Sequence, residues 1–234
     1  MRISVAQVEA VKGDFNANLN AHLRWMKAAA DTSTDLLIFP ELSLTGYEPT
    51  LAAGLALDLA DTRLDPIQEC CDQFQMSVGA GAPMRTDTGI CIGMVIFQPR
   101  QARWVYSKQY LHEDEKPFFV PGHNDCEVVH EHPRIVPAIC YELSMPEHRQ
   151  RAVELGARVY AASMVKSVRG TAGAIETLTT FARENRIWVV MANAVGVADS
   201  EVCGGGSCII NPSGERVAEL GPTKEGLLTI GIRP

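Results

Sequence analysis

No basic run and no long apolar stretch occurs anywhere in the 234 residues, and these two absences remove whole classes of function. A net charge of −7 without a cationic cluster argues against a nucleic-acid or anionic-membrane surface as the main business of the chain. No apolar run reaches the length that a bilayer crossing needs. The opening Met1 to Val8 alternates like a strand and lacks the apolar core of a signal peptide. CxxC spacing is missing, and the seven cysteines are scattered, with only Cys70 and Cys71 adjacent. That pattern suits neither a cysteine metal site nor a secreted disulfide framework, so a reducing cytoplasm is the simplest setting. Repeats, linkers and low-complexity tracts are absent as well. With 46% hydrophobic and 21% charged residues, the expectation is one soluble domain spanning 1–234 with a substantial core.

What is present is an alternation of strand and helix patterns, which favours α/β layers over an all-β fold. Strands are expected at Arg2–Val8, Asp35–Phe39 (stopped by Pro40), Ser77–Ala82, and in a hairpin of Cys91–Gln98 with Ala102–Lys108. Helices are expected at Asn16–Ala30, with Leu19, Leu23, Met26 and Ala30 on one face, and at Leu64–Phe74. A charged, aromatic loop from Tyr110 to Asp125 leads into strand Ile135–Cys140, helix Pro146–Leu155 and strand Val159–Ala162. A second loop, Ser163–Gly173, precedes helix Ala174–Asn185. Strands at Trp188–Ala192, Ser207–Asn211, Val217–Glu219 and Leu227–Ile232 complete the pattern.

Four ionisable residues stand where strands meet loops. Cys140 ends an apolar strand just before a helix, with Ser144 as the expected N-cap and Pro146 in the first turn. A thiol at the positive end of a helix would favour the nucleophilic thiolate, although a free cysteine is more often a small buried hydrophobe. Glu41 follows the strand ending at Phe39. Partial desolvation there would raise its pKa toward general-base range; an exposed loop glutamate is the more ordinary reading. Lys108 shares a strand face with Trp104 and Tyr106, where an ammonium needs an anion. Glu115 opens an aromatic loop that would bring it near Lys108, unless His112–Lys116 is simply charged surface. A thiolate, a carboxylate and an ammonium together suit attack on an acyl carbon, with proton transfer and oxyanion stabilisation.

These residues lie in segments that resemble the nitrilase, or carbon–nitrogen hydrolase, superfamily across nearly the whole chain. Phe39-Pro-Glu41 through Gly46-Tyr47 is similar to the general-base segment, and Tyr106-Ser-Lys108-Gln-Tyr-Leu111 to the catalytic-lysine segment. Ile139-Cys140-Tyr141-Glu142 with Pro146-Glu147 resembles the nucleophile elbow. Ala182 to Asn185, Ala192-Asn193 and Gly205 to Gly214 resemble later blocks. The resemblance implies Glu41 as base, Lys108 as oxyanion stabiliser, Cys140 as nucleophile and Glu115 as the glutamate that positions lysine and substrate. It makes the Tyr141 N–H a second oxyanion donor; Tyr47, Tyr141 and Lys166 are the candidate substrate contacts.

The implied fold is a four-layer α-β-β-α sandwich. The implied chemistry is thiol amidohydrolysis of a small linear amide through a thioester, needing no metal or organic cofactor. Family members commonly dimerise through helical layers, which here points to the helix after Cys140 and the one ending at Asn185. Tyr141, where true nitrilases carry tryptophan, looks more like the amidase and carbamoylase branches. An N-carbamoyl hydrolase is the alternative enzyme; a catalytically silent or redox-sensing protein on the same fold is the alternative of another class. The loops around Leu51–Asp61, His112–Phe119 and Ser163–Gly173 are expected to shape the pocket. Lys166 there either binds a substrate carboxylate, with Arg169 as a further cation, or faces solvent.

Overall fold

The computed structural model describes residues 1–124 and 126–232. Asp125, where the first expected loop ends, lies outside them, as do Arg233 and Pro234. The first half runs β1 (Arg2–Gln7), α1 (Phe15–Asp31), β2 (Leu36–Ile38), α2 (Ala52–Leu55), α3 (Asp65–Phe74), β3 (Ser77–Thr86), β4 (Gly89–Phe97) and β5 (Trp104–Ser107). The second half runs β6 (His130–Glu131), β7 (Arg134–Ile139), a 3-10 turn (Cys140–Ser144), α4 (Pro146–Glu154), β8 (Val159–Met164), α5 (Val168–Asn185) and β9 (Trp188–Asn193). It continues with β10 (Val197–Ala198), β11 (Glu201–Val202), β12 (Cys208–Ile210), β13 (Arg216–Glu219) and β14 (Gly226–Gly231).

Two six-stranded sheets form, ordered β14-β1-β2-β3-β4-β5 and β13-β12-β9-β8-β7-β6, with β10–β11 as a separate hairpin. Strand alternation decides what lies between them. Ile3 and Val5 of β1, Tyr106 of β5 and Ile135 and Ile139 of β7 pack into the gap between the sheets. Their neighbours point the other way. Ala6 and Leu37 meet α1 and α3 through Met26 and Ile67, while Val136 and Ala138 share a cluster with Leu178 and Phe181 of α5. The result is the expected α-β-β-α sandwich. β2 and β3 are parallel and β5 is two antiparallel steps from β3, so β2 and β5 end on the same side; β7, β8 and β9 are also mutually parallel. Carboxyl ends of parallel strands are where α/β sheets place ligands.

Three expectations need correction. The buried line of α1 is Phe15, Asn18, His22, Met26 and Ala29, rotated from the apolar face read in the sequence. Asn18 and His22 are buried because their polar atoms are satisfied: Asn18 pairs with Val11 and Leu44, while His22 reaches Asn18 O at 2.7 Å and Ser43 Oγ at 3.0 Å. Ser163–Gly173 is no long loop, since β8 runs to Met164 and α5 starts at Val168, with the Ser167 side chain capping it and Gly170 and Gly173 inside the helix. Ser144 caps nothing. It ends the 3-10 turn, and extended Met145 precedes α4 without a side-chain cap.

His22 stacks on Phe39 at 4.1 Å and so supports the strand end that carries Glu41. Burial lowers its pKa from 6.5 to about 4, the Asn18 carbonyl opposing. An imidazole neutral in the fold takes up a proton on unfolding. Its contribution is therefore full above pH 6.5 and is lost as pH falls toward 4, amounting to about 3 kcal/mol. We expect His22→Gln to be less stable than wild type at neutral pH, with the gap closing across that window. Parallel urea titrations check this; a gap that stays constant with pH would contradict it.

Candidate active site

Glu41, Lys108 and Cys140 arrive from three strand ends, two in one sheet and one in the other. Glu41 follows β2 across Phe39-Pro40. β3 comes so close to this turn that a Cβ on Gly81 would lie 2.2 Å from Leu42 N, and only glycine leaves room. Lys108 continues the inward-facing series of Trp104 and Tyr106 past the end of β5. Its main chain is pinned by Lys108 N to Ile92 O at 2.8 Å and Gly122 N to Lys108 O at 2.7 Å. Cys140 follows β7 and takes a left-handed φ of +43°, which for a non-glycine residue stores about 1–3 kcal/mol of strain.

The side chains converge. Lys108 Nζ donates to Glu41 Oε1 at 2.7 Å and to Glu115 Oε1 at 2.6 Å, and all three groups are buried. Glu115 is held in turn by the Tyr47 hydroxyl at 2.9 Å and the His112 backbone N–H at 2.8 Å. The loop glutamate read ambiguously from sequence is therefore an interior one. Tyr141 stands next to Cys140 at the start of the 3-10 turn, where first-turn N–H groups lack intrahelical partners.

One ammonium between two carboxylates leaves an excess negative charge. Burial opposes the charge on Lys108, but the neighbouring Glu41 and Glu115 outweigh it and hold the ammonium protonated beyond its ordinary range. Burial pushes the Glu41 pKa up, with Lys108 pulling against it and Glu115 adding to it. Glu41 Oε2 has no hydrogen-bond partner meeting ordinary geometry among the described residues, while the neighbouring Cys140 thiol bears on its titration. Cys140 itself is pushed up to about 12 by burial and by Glu41, against Lys166 and Lys108. This runs against the thiolate expected from the sequence: the five-residue 3-10 turn does not offset the buried carboxylates, which push the group toward the thiol form beside Glu41.

A cavity of about 350 Å³ opens over the thiol. Tyr47, Glu115, Tyr141 and Lys166 line it, along with His112 and Ser167. Lys166 takes part in no ion pair among the described residues. Its backbone is fixed by Asn193 Oδ1 at 3.0 Å and Gly204 N at 2.7 Å. Asn193, fully buried, also reaches Thr171 and Gly205. Arg169 is exposed and not among the lining residues, and neither is any residue of Leu51–Asp61. The remaining wall is the β10–β11 hairpin, with Asp199, Glu201 and Val202, followed by Cys203. Two-residue strands around a turn leave too short a pattern to read from sequence. Cys203 shares the cavity, but burial pushes its thiol up to about 11.

Glu142 is the other residue that sequence reasoning passed over. Fully buried, its Oε2 accepts Ile139 N at 2.7 Å and the Tyr106 hydroxyl at 3.0 Å, and its Oε1 accepts Gln109 N at 2.6 Å. Burial raises its pKa to about 7, against those donors. Among the described residues, no group of three or more His, Cys, Asp or Glu side chains is placed to hold a metal ion, and no helix is long and apolar enough to cross a membrane.

Comparison with known proteins bears on this geometry. The carbon–nitrogen hydrolase family model matches residues 2–234. An (R)-stereoselective amidase from Pseudomonas sp is 29% identical over 94% of this chain and 81% of its own length. The omega-amidase YafV of Escherichia coli K12 is 26% identical over 93% and 84%. A glutamine-dependent NAD(+) synthetase from Thermotoga maritima is 25% identical over 99% of this chain, which spans only 42% of that protein. Among solved structures, the amidase from Nesterenkonia sp. AN1 shares the fold with a TM-score of 0.90 at 24% identity, covering 100% of this chain and 93% of that one.

The resting protonation state is directly measurable. We expect wild type and Cys140→Ala to give the same ultraviolet thiolate absorbance at neutral and mildly alkaline pH. A thiolate band at neutral pH that vanishes in Cys140→Ala would contradict the assignment.

Proposed function

The chain belongs to the carbon–nitrogen hydrolase family, and from that premise we propose that it is a thiol amidohydrolase. It cleaves the C–N bond of a small linear amide through a Cys140 thioester and releases ammonia or an amine. The observation that carries this reading is the convergence of a buried base, a buried ammonium and a thiol on one cavity of about 350 Å³.

In the proposed sequence Glu41 takes the Cys140 proton as sulfur attacks the amide carbon, so no free thiolate is needed beforehand. The developing oxyanion is met by Lys108 Nζ and the Tyr141 N–H. Glu41 then passes its proton to the departing nitrogen. A water enters, Glu41 deprotonates it as it attacks the thioester carbon, and the same two donors stabilise the second tetrahedral species. Its C–S bond then breaks, Glu41 returns the proton to the Cys140 sulfur, and the acid leaves. Lys108 keeps its proton throughout, fixed by Glu115, which Tyr47 orients. Lys166 is the candidate contact for a substrate carboxylate, because its anchored backbone projects an unpaired cation beside the thiol. Residues 1–234 act as one catalytic unit in this reading, and α4 and α5 present the outer face through which two copies would pair. Seven free cysteines suit a reducing cytoplasm.

Ammonia release from ω-amides tests the chemistry. Cys140→Ala is expected to release none; carbon dioxide appearing with ammonia from carbamoyl compounds would instead select the carbamoyl-hydrolase alternative. Lys108→Met should lower kcat on the order of 100-fold or more with a small change in KM, and a change confined to KM would make it a substrate binder. Lys166→Met should raise KM for a carboxylate-bearing amide and spare a neutral amide of equal length. Equal losses on both would assign Lys166 to the thiol rather than the substrate.

A further inference from the structure

The catalytic groups stand on two different sheets, and what keeps them in register is a separate question from what they do. Lys108 belongs to the end of β5 and Cys140 to the end of β7, with the inter-sheet core beneath them. Glu142 spans that gap. One oxygen accepts the N–H of Gln109, the residue after Lys108, at 2.6 Å; the other accepts the N–H of Ile139, the residue before Cys140, at 2.7 Å. We propose that Glu142 is a positioning residue: its carboxylate braces the two sheets so that the Lys108 ammonium and the Cys140 thiol keep the separation that oxyanion stabilisation requires. This rests on the catalytic reading of Lys108 and Cys140.

The brace is itself held. The Tyr106 hydroxyl donates to Glu142 Oε2 at 3.0 Å and lies 2.8 Å from His148 Nε2, while His148 Nδ1 lies 2.8 Å from the Tyr160 hydroxyl. These contacts form one directional chain: Tyr160 donates to His148, His148 to Tyr106, and Tyr106 to Glu142. The chain starts in β8, passes through α4 and β5, and ends in the turn that carries the nucleophile. A fully buried acid placed only for packing would have no reason to take both N–H groups that flank the two reacting side chains. Glu142 also sits within the 3-10 turn, so the Ile139 bond resists relaxation of the left-handed backbone at Cys140.

Glu142→Gln separates position from chemistry, because its amide nitrogen cannot accept one of the two N–H groups. With the best amide found, a variant that melts near wild type is expected to lose kcat on the order of 100-fold while KM changes little, as for a small misplacement of reacting groups. Alkylation of Cys140 by iodoacetamide should slow alongside it. Wild-type kcat in folded Glu142→Gln, or a loss carried entirely by KM, overturns the proposal. Should that variant not fold, Tyr106→Phe decides: it removes one donor from the carboxylate, a lower kcat at unchanged KM is expected, and wild-type kinetics overturn the brace. Cys140→Ala is the control, since residual turnover there sinks the catalytic reading itself, whereas an inert Cys140→Ala beside a fully active Glu142→Gln sinks only the brace.

Discussion

The site depends on one ammonium confined between two carboxylates out of contact with water. Lys108 has no solvent to fall back on, so Glu41 and Glu115 are what keep it charged, and Lys108 is what lets two acids share an interior. Removing one member of a buried charge pair costs about 3–5 kcal/mol, because the remaining charge is left uncompensated. The surplus negative charge has a chemical use. It raises both Glu41 and the Cys140 thiol, so in the mechanism we propose proton transfer between them accompanies attack rather than preceding it.

The sandwich architecture makes such a group possible. Each sheet alone buries apolar side chains on both faces, and only where strands end does the gap between sheets admit polar atoms. Bonds between the sheets are concentrated at that rim: Ser163 Oγ reaches Phe39 O at 2.8 Å, and Glu142 takes backbone donors from both sides. The strained φ at Cys140 is sustained by this support rather than by the short turn that follows.

Much of the fold was legible because β1 alternates and β7 and β9 are short apolar runs, and the strand ends marked Glu41, Lys108 and Cys140 as candidates that the resemblance to a known family then singled out. What escaped has a common cause. Asn18, His22, Glu142 and Asn193 are polar residues buried through long-range hydrogen bonds, and a hydrophobic pattern treats each as a surface position. The pocket wall at Asp199–Val202 escaped because strands of two residues carry no period. Glycines 170 and 173 disguised the start of α5 as loop, although Ser167 caps it and packing on β9 and β12 stabilises it. The thiolate expectation took no account of neighbours: local position suggested a helix end, whereas two carboxylates brought by distant segments push the thiol pKa up.

Turnover through a thioester requires Cys140 to carry the acyl group. Intact-mass spectrometry of acid-quenched wild type, mixed with a panel of small ω-amides, tests it most directly. The expected result is a wild-type mass increased by the acyl fragment, located on the peptide that contains Cys140 and absent from Cys140→Ala. Steady ammonia release with the same adduct on another residue, or sustained by Cys140→Ala, would contradict it.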